Sequence, residues 1–196
     1  MDSVSYSLGV NVAQGVKAQG LEEINVDAVA QGFRDIFTEG ATPMVDDMQS
    51  RQILTTYFNS LQASRGEKLK KAGEDFLAEN KNKPGVTTLS SGLQYEVMVE
   101  GTGAKPALTD RVKTHYHGTL IDGTVFDSSV ERGEPISFAV NGVIPGWTEA
   151  LQLMAVGSKW KLFIPYNLAY GERGSGPVIG PFAALIFEVE LLDIEK

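Results

Sequence analysis

Apolar residues recur along the chain at two different spacings, and the spacing changes near Pro84. In the first part the spacing is helical, and one stripe predicts a helix that Gly20 ends: Val4, Leu8, Val12 and Val16. A second helix is predicted between Asn25 and Gly40, because these residue types are frequent at helix starts and ends. Its apolar positions are Val26, Val29, Phe33, Ile36 and Phe37.

A long third helix is predicted from Met44 to about Asn80. Thr42-Pro43 is typical of a cap followed by proline at the first helical position, and an apolar stripe follows at Ile53, Leu54, Tyr57, Phe58 and Leu61. Beyond this stripe the helix is polar nearly all round, as in a solvated spacer or a surface that meets a partner. Two interpretations remain open: a helical appendage packed on the second domain, or a dimer whose helices complete a core across two chains.

The second part alternates apolar and polar residues with a period of two, which is typical of half-buried strands. Four strands are predicted, at residues 93–101, 111–120, 159–165 and 184–196. Asp122-Gly123 is a tight-hairpin signal, and a single short helix runs from Gly146 to about Val156, before Gly157. The predicted fold is α+β: an N-terminal all-helical region with a long arm helix, then an antiparallel twisted sheet wrapped over one short helix.

The composition supports a domain boundary near Pro84. The first part holds 7 of the 21 glycines and 2 of the 8 prolines, and the second part holds the rest together with most of the aromatic residues. Glycine and proline are the strongest markers of turns between short strands. The predicted domains are therefore residues 1–84, helical, and residues 85–196, built from strands and turns.

Charge and composition narrow the possible functions. The chain has 196 residues, of which 42% are hydrophobic and 21% charged, as in an ordinary globular protein. Its net charge of −8 argues against nucleic acid as a partner, and no apolar run approaches the roughly 20 residues that span a membrane. The first residues lack a visible leader, so a cytoplasmic location is expected, or a periplasmic one if a leader has been removed. The absence of cysteine excludes disulfides and thiol nucleophiles.

The motifs of nucleophilic and phosphate chemistry are absent, since the chain has no GxSxG and no Gly-Lys-Ser/Thr run. His115 and His117 would share one face of a strand. Two histidines would need a third ligand to hold a metal ion, and the sequence shows no candidate for it. Solvent-facing histidines are therefore the preferred interpretation, and no metal or other cofactor is expected. Tyr116, between them, would face the core.

The inward-facing residues of the second part are nearly all aromatic or β-branched. They are Tyr116, Phe126, Ile136, Phe138, Val143, Ile144, Trp147, Tyr170 and Phe187. The simplest interpretation is a hydrophobic core.

Three features favour a pocket instead. Tyr116, Trp147 and Tyr170 bring polar groups that a dry core rarely contains. Asp127 lies at the core edge and needs partners, for which Tyr116 and Arg132 are candidates. Finally, the Gly/Pro-rich loop of residues 168–181 contains apolar residues, which is unusual for a purely solvated connection.

Five motifs occur in order across roughly the last 105 residues: "VKTHYHGTLIDGTVFDSS", "GVIPGWTEALQLM", "GSKWKLFIP", "LAYGE" and "LIFEVELL". In these motifs the second part resembles the FKBP-type peptidyl-prolyl cis-trans isomerases, and the helical first part is similar to that of the dimeric bacterial Mip-like and FklB-like members. The resemblance implies an FKBP-like sheet, isomerase activity on X-Pro bonds, no cofactor, a homodimer through residues 1–84, and proline-containing polypeptides as partners.

The resemblance also implies residue roles. Trp147 would be the floor of a proline pocket, and the N–H of Ile144 and the hydroxyl of Tyr170 would bond substrate carbonyls. Asp127 would lie near the twisting amide, held by Tyr116 and Arg132. The implied catalytic set is Tyr116, Phe126, Asp127, Ile144, Trp147, Tyr170 and Phe187, and the implied substrate-binding set is Arg132, Ile136, Val143, Ala169, Val178 and Ile179.

Two positions depart from the family pattern: Ile136 stands where many members have an aromatic wall, and Ser175 where many have histidine. The resemblance implies inhibition by macrolides such as tacrolimus or rapamycin, with weaker binding expected because of Ile136. Two other functions remain open, a polypeptide-binding chaperone with isomerisation secondary and a proline-binding module without activity. The retained pocket residues favour an active enzyme.

Overall fold

The computed structural model of the chain describes residues 2–21 and 23–195. Contacts between backbone segments divide the chain into two compact units, residues 1–56 and residues 57–196. The first unit is helical, and the second contains a β-sheet.

Two short helices open the first unit, as the apolar spacing predicts. Helix α1 spans Ser3–Ala18, and the Asp2 carboxylate accepts hydrogen bonds from the first backbone N–H groups. Helix α2 spans Val26–Phe37, and the Asn25 side chain caps it by accepting a 3.0 Å hydrogen bond from the Ala28 N–H. Both predicted helices and the Asn25 cap are confirmed.

Helix α3, Asp47–Asn80, begins later than the sequence predicts, and the predicted cap at Thr42-Pro43 is wrong. A reciprocal pair caps the helix instead. The Asp46 carboxylate accepts from the Gln49 N–H at 2.7 Å, and the Gln49 side chain accepts from the Asp46 N–H at 3.1 Å. Because this pair satisfies two free donors at once, it determines where the helix starts.

The two short helices bury none of their residues within this chain. Large apolar side chains of α2 are exposed, Ile36 by 69% and Phe37 by 80%. Helical stability in proteins comes mainly from an apolar face packed against something else, and within the single chain these faces have little to pack against.

In the part of the chain that the structure describes, the second unit has one antiparallel sheet of seven strands. Its order is β1-β2-β6-β7-β3-β4, and β5 also pairs with β3. The strands are β1 (Val86–Thr88), β2 (Gln94–Val99), β3 (Arg111–Leu120), β4 (Val125–Ser128), β5 (Ile136–Ala139), β6 (Lys159–Ile164) and β7 (Leu185–Glu195). The four strands predicted from the alternating pattern correspond to β2, β3, β6 and β7.

Helix α5, Pro145–Leu153, supplies the other half of the core. Ala150 and Leu151 are fully buried, as is Met154 directly after the helix. They cluster with fully buried strand residues, Val112, Leu162, Leu185 and Val189 among them. The predicted arrangement of a sheet over a short helix is confirmed, although a second, four-residue helix, α4 (Ser129–Arg132), was not predicted.

The last part of α3, from Tyr57, belongs to the second unit, whereas the sequence division assigned it to residues 1–84. Phe76 lies against Phe163 of β6, with ring centroids 6.0 Å apart. The Asn80 amide donates to the Gln94 side chain at 2.9 Å, and the Gln94 amide donates to the Leu77 carbonyl at 2.8 Å. This polar half of the helix is therefore fixed to the sheet by side-chain contacts.

Candidate active site

A cavity of about 650 Å³ lies where α5, the sheet and the loop before β7 meet. Aromatic and branched side chains dominate its lining, which consists of Tyr116, Phe126, Asp127, Ile136, Phe138, Gly142, Val143, Ile144, Trp147, Tyr170, Ser175, Gly176, Pro177, Val178, Ile179 and Phe187. A concave, mainly apolar site with a few polar groups is the usual form of a ligand pocket.

Trp147 lies in the first turn of α5, and its side chain is only 4% exposed. Three aromatic rings meet the indole edge-on or tilted, Tyr116 at 5.4 Å, Phe138 at 5.4 Å and Phe187 at 5.1 Å between centroids. Edge-to-face pairs of this kind add to the energy of simple burial. The indole is thereby held rigidly in the cavity wall.

Two glycines allow the aromatic groups to come this close. A Cβ on Gly118 of β3 would lie 2.7 Å from the Phe126 ring and 2.8 Å from the Phe187 ring. A Cβ on Gly146 would lie 2.6 Å from Ile164 of β6, so a larger residue would push α5 away from the sheet. The Pro-Gly-Trp sequence at the start of α5 thus serves both to begin the helix and to seat the indole.

Asp127, Tyr116 and Arg132 form one hydrogen-bonded group at the edge of the cavity. The Tyr116 hydroxyl donates to an Asp127 carboxylate oxygen at 2.5 Å, and Arg132 donates to the other carboxylate oxygen. Arg132 also donates to the Tyr116 hydroxyl oxygen at 2.8 Å, with its guanidinium 5.6 Å from the centre of the Tyr116 ring. Helix α4, which the sequence did not predict, carries Arg132 into this position.

These contacts determine the charge state of the group. Burial raises the pKa of Tyr116, and the neighbouring Asp127 carboxylate raises it further, so the phenol stays neutral. Burial alone would raise the pKa of Asp127, but the hydrogen bonds from Tyr116 and Arg132 outweigh it and lower the pKa. The carboxylate therefore stays ionised at neutral pH.

The loop between the turn Tyr166–Leu168 and β7 forms one wall of the cavity. Ser175 and Ile179 exchange backbone hydrogen bonds of 2.8 and 3.2 Å across a tight bend. At Gly174, with φ of +69°, a Cβ would lie 2.1 Å from the Ile179 carbonyl oxygen, so only glycine fits. This closure places the side chain of Ile179 in the cavity wall, where it is 8% exposed.

Most residues predicted for the site line this one cavity. All seven of the catalytic set do so, as do Ile136, Val143, Val178 and Ile179 of the substrate-binding set. Arg132 and Ala169 are not in the lining: Arg132 acts on Asp127 and Tyr116, and Ala169 packs against the hydrophobic core.

Five lining residues were absent from the predicted site sets: Phe138, Gly142, Ser175, Gly176 and Pro177. Phe138 was already among the inward-facing positions, because it lies two residues from Ile136 on the same strand face. The other four lie in turns and loops, whose directions follow from tertiary contacts and not from alternation.

The two histidines lie outside the cavity lining. His115 is within hydrogen-bonding distance of the Ser129 hydroxyl, at 3.1 Å, and His117 of the Ser128 hydroxyl, at 3.0 Å. Both side chains are partly exposed. Residues 2–21 and 23–195 contain no cluster of three or more His, Cys, Asp or Glu that could hold a metal ion.

An α+β fold with an aromatic cavity between one helix and a wrapped sheet is typical of a protein that binds an apolar group in a pocket. Residues 102–192 match the family described as FKBP-type peptidyl-prolyl cis-trans isomerase. Residues 1–97 match the domain amino terminal to FKBP-type peptidyl-prolyl isomerase. The chain belongs to the FKBP-type peptidyl-prolyl cis-trans isomerase family, and its activity is the cis-trans isomerisation of X-Pro peptide bonds.

The similarity to known proteins extends over nearly the whole chain. The FKBP-type 22 kDa peptidyl-prolyl cis-trans isomerase of Escherichia coli (strain K12) is 51% identical over 97% of this chain and 93% of its own length. The outer membrane protein MIP of Legionella longbeachae is 46% identical over 100% of this chain and 86% of its own length. The crystal structure of FkpA from Escherichia coli superposes with a TM-score of 0.84 at 35% identity, covering 98% of this chain and 93% of that one.

Proposed function

We propose that the cavity binds the proline ring of the substrate against Trp147. The observation that carries this proposal is the buried indole, held by three aromatic rings at one side of an open apolar cavity. Tyr116, Phe126, Val143, Ile144 and Phe187 form the walls around the ring, while Ile136, Val178 and Ile179 serve the flanking residues of the substrate.

The reaction requires rotation about one bond and no covalent step. Resonance in the amide resists rotation by about 18–20 kcal/mol, and uncatalysed exchange takes tens of seconds. At 90° the resonance is lost, together with much of the negative charge on the carbonyl oxygen. Water stabilises the planar, more dipolar amide preferentially, so a dry apolar cavity that fits the twisted form lowers the barrier.

Polar groups at the rim hold the chain on either side of the bond. We assign the substrate carbonyls to the Ile144 N–H and the Tyr170 hydroxyl. Among the described residues, no backbone hydrogen bond is donated by the Ile144 N–H, which leaves this donor for a ligand. The ionised Asp127 lies beside the rotating amide, and Arg132 and Tyr116 fix its direction.

The two departures from the family pattern bear on specificity. Ile136 is 41% exposed at the cavity rim and offers less apolar surface than an aromatic ring. We propose that macrolides such as tacrolimus or rapamycin bind this cavity, more weakly than they bind a site with an aromatic residue at that position. Ser175 replaces a histidine at the loop, which changes the hydrogen bonding offered to the residues around proline.

We propose a homodimer through the helices of residues 1–84. The support is that α1 and α2 expose large apolar side chains and bury none of their residues within the single chain, since exposed apolar patches on soluble proteins often mark interaction sites. The same surface supports a second candidate function, capture of unfolded polypeptides, because Phe33, Ile36 and Phe37 are all exposed. Oligomeric state distinguishes the two: a dimer covers this surface and a capturing monomer leaves it open.

The location of the protein is a further proposal. None of the described helices is long and apolar enough to cross a membrane. We infer a cytoplasmic protein, with the periplasm as the alternative, since the Legionella longbeachae relative is named an outer membrane protein. Cell fractionation with antibody detection would distinguish the compartments.

The cavity assignment is tested by Trp147→Leu, with Trp160→Leu as the matched control. Both indoles are buried, at 4% and 5% exposure, but Trp160 stacks on Tyr95 and does not line the cavity. In a protease-coupled assay on short X-Pro-Phe peptides, Trp147→Leu should lower kcat/KM by about tenfold or more, because the surface that favours the twisted amide is lost. Full activity in a folded Trp147→Leu protein would refute the assignment.

A further inference from the structure

Phe182 has a backbone conformation that is unusual for its residue type. Its φ is +57°, and it is the one residue other than glycine with a positive φ among those the structure describes. For a bulky side chain this left-handed conformation is unfavourable, and it persists only where surrounding contacts impose it. Phe182 must therefore be held in place by its neighbours.

Those neighbours belong to the long helix and to the turn before the cavity loop. A Cβ on Gly66 of α3 would lie 3.1 and 3.2 Å from two atoms of the Phe182 ring, so the ring lies directly on the helix backbone. The Tyr166 ring meets it at 5.2 Å between centroids. The Lys70 ammonium lies 5.7 Å from the ring centre, within the range of a cation–π contact.

The backbone of Phe182 closes the loop that carries the cavity wall. Its N–H donates a 2.9 Å hydrogen bond to the carbonyl oxygen of Gly171, and the Gly171 N–H donates to the Tyr166 carbonyl at 2.8 Å. Gly171 directly follows Tyr170, whose side chain lines the cavity. A displacement of Phe182 is thereby passed to Tyr170 through one hydrogen bond and one peptide unit.

We propose that Phe182, seated on Gly66, is a positioning residue that fixes the Tyr170 hydroxyl over the proline pocket. This inference rests on the proposed role of Tyr170 in binding a substrate carbonyl. It gives the C-terminal half of α3 a part in catalysis, because the helix backbone at Gly66 is the surface against which the loop is held.

The helix provides its own control for this proposal. Gly73 lies seven residues after Gly66, and a Cβ there would lie 3.0 Å from Ala184, an equally tight contact. Ala184, however, does not line the cavity. Gly66→Ala and Gly73→Ala should therefore lower thermal stability to a similar extent, while only Gly66→Ala should disturb the loop.

The experiment is a double-mutant cycle in the full-length protein, with the protease-coupled peptide assay as readout. Gly66→Ala should lower kcat/KM by about three- to tenfold, because displacements well below 1 Å at a reacting site already cost rate. Gly73→Ala should stay within about twofold of the unmodified protein. In a Tyr170→Phe background, where the hydroxyl is gone, the additional effect of Gly66→Ala should largely disappear.

A second pair of variants keeps the proposal testable if Gly66→Ala does not fold. Phe182→Asn suits the left-handed conformation but lacks the ring, and should lower kcat/KM as Gly66→Ala does. Phe182→Tyr keeps the ring and should therefore keep the kcat/KM of the unmodified protein. Equal effects of Gly66→Ala and Gly73→Ala, full additivity with Tyr170→Phe, or unchanged activity of Phe182→Asn would each overturn the proposal.

Failure of the pocket assignment gives a different result. If Trp147→Leu and Tyr170→Phe both keep full activity, the assignment of the cavity is wrong. If both lose activity while the two glycine variants behave alike, the cavity stands and only the role of Phe182 fails.

Discussion

Removal of residues 57–84 should destabilise the isomerase unit even though no residue of the cavity is lost. The fragment 85–196 contains every residue that lines the cavity, whereas the fragment 57–196 also contains the part of α3 that contacts the sheet. Comparing the two fragments isolates the contribution of that helix and tests the proposed domain boundary at residue 84.

The magnitude follows from two sets of contacts. Gln94 is 3% exposed and loses both of its hydrogen bonds to α3, each with a net value of about 1 kcal/mol. Phe163 is 5% exposed and loses the Phe76 ring that covers it, and full burial of such a side chain is worth about 1.5–3 kcal/mol. We expect the free energy of unfolding to be about 3–5 kcal/mol lower for fragment 85–196, a large part of the 5–15 kcal/mol typical of a domain.

Urea titration followed by tryptophan fluorescence and circular dichroism would measure this difference. Asn80→Ala in fragment 57–196 is the control for the polar part alone, and it should lower the free energy of unfolding by about 1 kcal/mol. Equal midpoints and slopes for the two fragments would show that the helix contacts contribute nothing and that the isomerase unit begins at residue 85.

Three further predictions concern the pH dependence, the rim of the cavity and the helical region. Because the pKa of Asp127 is lowered and that of Tyr116 raised, kcat/KM should be flat between about pH 5 and pH 9. The stability that the Asp127 carboxylate contributes is present above its unfolded pKa and should be lost only as the pH falls through the lower folded pKa. A bell-shaped profile of kcat/KM centred near neutral pH would contradict this charge assignment. Ile136→Phe should tighten tacrolimus binding, measured by calorimetry, by about tenfold, because it adds aromatic surface at the rim; an unchanged Kd would show that this position does not limit binding. Phe37→Glu should convert a dimeric full-length protein into a monomer, as measured by sedimentation. It should also lower activity on a proline-limited refolding protein by about 10²-fold at most, while activity on a short peptide stays unchanged. A monomeric unmodified protein would disprove the dimer.

Strands β2, β3, β6 and β7 and helices α1, α2 and α5 were predictable because alternation and helical spacing report directly on which side is buried, whereas β1, β4, β5 and α4 are too short to show either pattern. Strand β3 was predicted with the same bounds as observed, since Val112, Thr114 and Tyr116 alternate with polar residues over its whole length. The starting point of α3 was not predictable in the same way. Thr42-Pro43 is a common cap, but the pair Asp46 and Gln49 satisfies two backbone donors and outweighs it.

The cavity was predictable where its residues lie on regular elements and not where they lie in turns. Trp147 and Phe187 could be assigned from a helix start and a strand alternation together with the family motifs. Gly142 lies at the end of a short turn, and Gly176 and Pro177 lie in the bend that the Ser175–Ile179 hydrogen bonds close, where no alternation indicates which way a residue points. The polar half of α3 was a harder case, because apart from Phe76 several of its contacts with the rest of the unit use glycines and amides, Gly66, Gly73 and Asn80, which carry no hydrophobic signal.

The outer strands of the sheet have a consequence for an enzyme that acts on X-Pro bonds of polypeptides. Strands β1, β4 and β5 are only three or four residues long. The segment of β2 beyond β1 is irregular, with a shift in pairing between Val97 and Val99. Short or bulged edge strands offer few consecutive free N–H and C=O groups to an extended polypeptide. If the cavity binds proline as proposed, an extended polypeptide substrate can bind there and depart without joining the sheet as an additional strand.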